Sequence, residues 1–210
     1  MYRPEVFRED RIDVLHAAMA AIGAATLVSH GPDGLRASHV PIEIDAAPAP
    51  WGTLRCHLAR ANPHAASIAE GGELLVIFQG PEGYVTPSWY PSKAQTGKVV
   101  PTWNYIAVHA YGSATTFEGP ERLRPHLAEL TRNFETAFDA PWSIDDAPTE
   151  FVDAMCRAII GIEIRVSRIE GKWKLSQNRS DDDRAGVVRG LRANGDEASR
   201  ALADRMEEVD

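Results

Sequence analysis

The stretch from Tyr84 to His109 reads YVTPSWYPSKAQTGKVVPTWNYIAVH, and it decides which kind of β protein this is. Five of these residues are Trp or Tyr, although aromatics make up only 8% of the whole chain. They alternate with Ser, Thr, Asn and Lys, while Pro87, Pro91 and Pro101 stiffen the backbone between them. An ordinary strand pair needs no such mixture. Flat π faces among hydroxyls, amides and a cation suit a planar polar ligand such as a flavin, although a packed aromatic loop would have the same composition.

Working outward, residues 102–118 carry the pattern of a long strand with a bend at Gly112. Upstream, ELLVIFQ (73–79) is a continuous apolar run of the buried-strand type. ATLVSH (25–30) and LRASHVPIEI (35–44) read as strands joined by the turn-forming GPDG, and GTLRCHLA (52–59) as another. Residues 160–175 alternate apolar with charged side chains, which predicts a half-exposed strand or a hairpin turning near Glu170-Gly171. Helices are predicted over 9–22, with Ile12, Leu15, Met19 and Ile22 on one stripe and Gly23 as the stop. Others follow over 120–138, 149–159, 181–193 and 196–208, and a short one opens after Asn62 as N-cap and Pro63. Strands fill the middle and helices the ends. That order excludes an alternating βαβ chain and gives a mainly β fold with peripheral helices, an α+β antiparallel barrel or sandwich.

A chain of 210 residues can bury a core without staples, and its 44% hydrophobic and 25% charged content is that of a globular protein. No apolar run approaches the roughly 20 residues that cross a bilayer. The opening MYRPEVFREDRID is charged where a signal peptide is apolar, so a cytoplasmic location without membrane attachment is expected. Cys56 and Cys156 are far apart and read as buried small hydrophobes. A net charge of −8 disfavours nonspecific attraction to nucleic acid or anionic membrane.

Two further segments carry candidate chemistry. In HLARANPH (57–64), Arg60 ends a strand and Asn62-Pro63 opens a helix, so a guanidinium and free backbone N–H groups can form a small anion cradle. In KWKLSQNRSDDDR (172–184), Lys174, Ser176, Gln177 and Arg179 leave a strand in succession as cationic and amide donors. The plain alternative there is a solvated strand exit capped by Asp181 to Asp183. Ser29, Ser38, His39 and His57 lie on neighbouring strands, but no HxH, HxxxH or Cys/His cluster accompanies them, so no metal site is expected. Nor is there a GxSxG elbow, a GxGxxG or a GxxxxGK[ST] loop, which removes support for a serine hydrolase, a Rossmann enzyme and a P-loop enzyme.

Read together, ARANP, TPSWY with Lys93, VPTWNY and KLSQNR, with the opening MY.P..F and ATLVS, resemble the PaiB-type family of FMN-binding split-barrel proteins, often labelled negative transcriptional regulators. The resemblance runs from Met1 to about Leu191, and Thr86 stands where Ser is usual before PSWY. It implies a six-stranded antiparallel split barrel over residues 1–180, a C-terminal helical extension over 181–210 packed on it, and a homodimer with FMN at the interface. Carried onto this chain, Arg60 and Asn62 match the phosphate-side motif. Ser88, Trp89, Lys93, Thr102, Trp103 and Asn104 match the aromatic segment, and Ser176, Gln177 and Arg179 the C-terminal signature. The family allows two functions: a transcriptional regulator acting indirectly with flavin as bound cofactor, or an FMN-dependent oxidoreductase or flavin reductase acting on a small molecule or NAD(P)H. Residues 181–208 superficially resemble a helix-turn-helix. Their second helix, however, sets Asp196, Glu197, Asp204, Glu207 and Glu208 against Arg200 and Arg205, so direct DNA binding is not expected.

Overall fold

The computed structural model describes residues 1–208; the last two residues of the predicted C-terminal extension lie outside it. In chain order the regular elements are β1 (Arg8–Glu9), α1 (Ile12–Ile22), β2 (Ala24–Gly31), β3 (Gly34–Pro41), β4 (Glu43–Asp45), β5 (Thr53–Ala59), α2 (Pro63–Ala69) and β6 (Glu73–Val85). Then come α3 (Ser92–Thr96), β7 (Thr102–Phe117), α4 (Pro120–Glu135), α5 (Thr149–Arg157), β8 (Ile159–Lys174), α6 (Asp181–Asn194) and α7 (Glu197–Glu208).

Among the described residues the sheet has eight strands, ordered β3-β2-β6-β7-β8-β5-β4, with β1 paired to β8 beside that path. The count exceeds the expected six because of two short additions, β1 of 2 residues and β4 of 3. The other six strands are each 7 residues or longer. The pairings β1–β8, β2–β3, β2–β6, β4–β5 and β5–β8 are all antiparallel.

The chain forms two compact units, each discontinuous in sequence. An aromatic unit comprises Met1–Arg11, Gln79–Val108 and the described residues from Glu170 onward, and a histidine unit comprises Ile12–Phe78 and His109–Ile169. Thus α6 and α7 share a unit with the segment 84–105, and no unit boundary falls at residue 180.

Within the histidine unit, β2 and β3 form a hairpin whose register closes at Gly31↔Gly34. Gly34 has φ +97°, a value that glycine adopts freely and other residues rarely do. Strand alternation sends Ala25, Leu27 and Ser29 of β2 inward, as it does Leu54, Cys56 and Leu58 of β5. Both cysteines are buried and free, as small core hydrophobes. Gly112 lies within the continuous strand β7. A Cβ there would lie 2.3 Å from the Arg165 carbonyl oxygen, so close approach of the neighbouring backbone requires the glycine.

In the aromatic unit, Ile106 and Val108 of β7, Trp173 and Leu175 at the end of β8, and Val187, Leu191, Leu202 and Met206 of the two C-terminal helices are buried. Burying each large aliphatic side chain contributes about 1.5–3 kcal/mol relative to leaving it in water. The predicted turn at Glu170-Gly171 does not form. Gly171 sits opposite Glu9 and Lys172 opposite Arg8, so β1 supplies a ladder partner that keeps β8 extended. Among the described residues, no helix is long and apolar enough to cross a membrane.

Candidate functional site

The aromatic segment is anchored at its base and open on its outer face. Thr86 caps a single 3-10 turn over Pro87–Trp89 by accepting the Ser88 N–H at 3.3 Å. Asp183 then fixes the start of α3, accepting from the Ser92 N–H at 3.1 Å and the Ser92 hydroxyl at 2.7 Å. Two glycines of α6 let this segment lie close: a Cβ on Gly186 would stand 2.1 Å from the Trp89 carbonyl oxygen, and one on Gly190 2.2 Å from the Trp89 indole. Trp89 is therefore a packing residue, seated on α6.

Trp103 and Tyr84 behave differently. Their side chains are 47% and 50% exposed, with ring centroids 6.2 Å apart. The Trp103 indole N–H donates to Glu82 at 3.2 Å, which fixes the ring's orientation. Beside them, the Lys174 ammonium donates to the Thr102 hydroxyl at 2.5 Å and to the Trp103 carbonyl. An ammonium has three donors, so one N–H remains for a ligand. Burial, with the nearby Lys172 and Arg179 charges, pulls the Lys174 pKa below its ordinary value. Lys93, exposed on α3, donates to the Ser88 hydroxyl at 3.2 Å.

The C-terminal signature is joined through Ser176 to Asn104 of the aromatic segment. Asn104 is fully buried and donates to the Ser176 hydroxyl at 2.9 Å. Ser176 has φ +65°, a left-handed conformation rare for a residue with a side chain. Gln177 braces that strained turn, accepting the Leu175 N–H at 2.7 Å and donating to the Trp173 carbonyl at 2.6 Å. Arg179 places its guanidinium 4.8 Å from the centre of the Tyr90 ring. Burial raises the Tyr90 pKa against the opposing pull of Arg179, and its hydroxyl makes no well-formed hydrogen bond. These groups set the exit of β8 and leave the outer face to Trp103, Tyr84 and Lys174.

In the histidine unit, Arg60 donates to the carbonyls of Arg157 at 2.9 Å and Ile159 at 3.2 Å and pairs with Glu118 at 3.0 Å. A guanidinium has five N–H donors, so two remain. Asn62 caps α2, accepting the His64 N–H at 3.0 Å as the sequence predicts, and its amide reaches Ser38 at 3.4 Å. The residue that sequence reasoning passed over here is His64. It is buried and bridges the hydroxyls of Ser29 at 3.0 Å and Ser38 at 2.8 Å, and burial, then Arg36, lowers its pKa. In the aromatic unit the omission is Lys172, only 7% exposed. The KWK spacing held the signal, since residues two apart on a strand share a face.

The outer face of the aromatic unit thus offers flat rings, a fixed carbonyl and hydroxyl, and a cation with a free donor, a set suited to a planar, hydrogen-bonding, anionic ligand. Residues 1–168 match the family described as "Putative FMN-binding domain". An uncharacterized protein of Emericella nidulans is 34% identical, with 99% of this chain and 97% of that protein covered. The protease synthase and sporulation protein PAI 2 of Bacillus subtilis is 29% identical over the same shares. Among solved structures, the FAD and heme binding protein from Mycobacterium smegmatis is similar with a TM-score of 0.58, at 14% identity, covering 85% of this chain and 78% of that one. That likeness is one of fold.

Proposed function

This chain belongs to the FMN-binding split-barrel family of PaiB type, with FMN as its cofactor, and on that premise we propose that it is a homodimeric, cytoplasmic flavin-carrying regulator that acts on transcription indirectly. When bound, FMN supplies one- or two-electron transfer. The residues present fit it. Trp103 and Tyr84 are the ring-side contacts, Thr102 and Lys174 the polar contacts at its edge, and Ser88 and Lys93 the exposed donors beside them; on the histidine unit, Arg60 and Asn62 are proposed separately as a phosphate-binding pair. Trp89, Asn104, Ser176, Gln177 and Arg179 hold that face in shape. The observation that carries this reading is the exposed Tyr84–Trp103 ring pair beside the Lys174 ammonium.

Indirect action is favoured by the charges of α6 and α7. Arg192 pairs with Asp204 at 2.8 Å and Glu207 at 2.7 Å, and Arg205 with Glu208 at 2.6 Å. The Arg200 guanidinium is turned onto the Gly195 carbonyl. Cations already paired with carboxylates, as Arg192 and Arg205 are, release few counterions from DNA. The expected outcome is a yellow purified protein whose bound FMN is released on heat denaturation, together with no sequence-selective shift of DNA at physiological salt. A colourless protein with no thermal response to FMN would contradict the cofactor assignment, and a tight selective gel shift would contradict indirect action.

One observation favours a second reading, an FMN-dependent oxidoreductase or flavin reductase. The half-exposed rings of Trp103 and Tyr84 leave a cofactor on this face within reach of a diffusing reductant such as NAD(P)H. Flavin-dependent NAD(P)H consumption by the purified protein would select it.

A further inference from the structure

Lys172 is only 7% exposed as a residue, but its ammonium is not among the fully buried unpartnered atoms, and among the described residues it makes no hydrogen bond and no ion pair. Its partners are ring faces: Tyr105 with the centroid at 5.3 Å and Tyr2 at 5.6 Å. Lys174, two residues on and on the same side of β8, lies 6.0 Å from the same Tyr105 ring. The carboxylates nearest in sequence and register are engaged elsewhere. Glu9 pairs with Arg11 at 2.6 Å, Glu170 with the terminal ammonium of Met1 at 2.6 Å, and Asp10 with Arg8 at 2.8 Å. Glu82 accepts from the Trp103 indole.

Cation–π contact offsets part of the cost of covering a lysine stem, but an ammonium held at such a place ordinarily has a counter-ion beside it. In a chain of net charge −8 there is no shortage of carboxylates to supply one. Strain or uncompensated charge of this kind persists where a ligand completes it. The depressed pKa of Lys174, to which Lys172 and Arg179 contribute after burial, reports the same excess of positive charge.

We propose that Lys172 and Lys174, grouped on the Tyr105 ring with the Thr102 hydroxyl, form a binding site for a phosphate monoester. A monoester carries about two negative charges at neutral pH, one for each ammonium, where a carboxylate would leave one lysine unpaired. The Thr102 oxygen accepts from Lys174, so its own hydrogen is free to donate to a phosphate oxygen. This inference rests on the flavin reading above. The phosphate belongs either to FMN itself, in which case this site replaces Arg60 and Asn62 as the phosphate-side pair, or to a second, phosphate-bearing ligand.

The test uses wild type, K172M and K172R with inorganic phosphate as probe and acetate at equal ionic strength as control, read by thermal shift with and without FMN. Wild type is expected to gain Tm with phosphate and not with acetate. K172M, freed of an uncompensated charge, is expected to keep or raise its Tm without phosphate and to bind phosphate at least tenfold more weakly; K172R is expected to keep the response. If K172M also weakens FMN tenfold but leaves riboflavin unchanged, the site holds the cofactor's own phosphate. If FMN affinity is unchanged and phosphate still stabilises FMN-loaded wild type, the site serves a second ligand. Both outcomes support the proposal. A wild type indifferent to phosphate, or a K172M with lowered Tm and an intact phosphate response, overturns it. A phosphate response in a protein that binds no flavin would overturn the flavin reading alone.

Discussion

Two charged regions of this molecule are built on opposite terms. In the histidine unit, Glu43 accepts from His126 at 2.6 Å and from Arg55 at 3.0 Å, Arg55 reaches on to Glu163 at 2.7 Å, and His126 contacts His57 at 3.2 Å. Burial tends to raise the Glu43 pKa, but hydrogen bonds from His126 and Arg55 hold it below its ordinary value. Around it lies a cavity of about 560 Å³ whose lining carries both signs of charge. In the aromatic unit, Lys172 and Lys174 stand among rings, with no carboxylate among the described residues bonded to either. A closed charge network serves the fold, and the open one is where we propose a ligand. Substitutions should therefore separate the two regions, the first costing stability and the second affinity.

The sharpest way to break that contrast is Glu43→Ala. It leaves Arg55 and the buried His126 without their shared partner and should cost about 3–5 kcal/mol of stability by urea unfolding. FMN affinity per folded molecule should stay unchanged. The network also predicts a sign for pH. Because the folded Glu43 pKa is depressed, its contribution is present above the ordinary glutamate range and is lost as pH falls through the lower folded value. His57 acts in the same direction, since burial and then His126 depress its pKa and acid forces it to charge. Unfolding scans from neutral to acid pH should show wild type losing this stability, and Glu43→Ala should flatten the Glu43 part of the loss.

Arg60→Glu tests an intermediate case, a cation with some donors committed and two still free. FMN retention should be lost while riboflavin binding persists, as measured by flavin fluorescence. Equal loss of both would mean that the Arg157 and Ile159 carbonyl bonds matter more than a phosphate. Next in size, Gly190→Ala drives a methyl into the Trp89 indole and should cost about 1–3 kcal/mol as overpacking. It should also weaken FMN binding, because the aromatic segment must lift. The smallest effect on stability belongs to Trp103→Ala, within about 0.5 kcal/mol for an exposed side chain.

Much of the fold was legible in the sequence because its signals were local. The Asn62-Pro63 cap, the GPDG turn, the apolar run at 73–79 and the stop at Gly23 each act within a few residues. What could not be read depended on distant partners. Glu170-Gly171 has turn chemistry, yet β1 pairs with it from the far end of the chain. At Gly112 the requirement for glycine comes from the backbone of Arg165, a distant partner. Within the candidate site, the aromatic segment stood out by composition, but composition does not tell Trp89, packed on two glycines of α6, from the open Trp103. Lys172 escaped notice because a lysine on an alternating strand ordinarily faces water, and only tertiary structure buries it. His64 was missed for a similar reason: its two serine partners lie on separate strands.

The central claim is that the open face of the aromatic unit holds FMN. Titrating flavin-free protein with FMN, with wild type and Trp103→Ala followed side by side by flavin fluorescence, tests it directly. Saturable one-per-chain binding that weakens about tenfold in the variant, with unfolding midpoints unchanged, is the predicted result, corresponding to about 1.4 kcal/mol of lost ring contact. Equal affinity in the two proteins would place the flavin elsewhere and contradict the account.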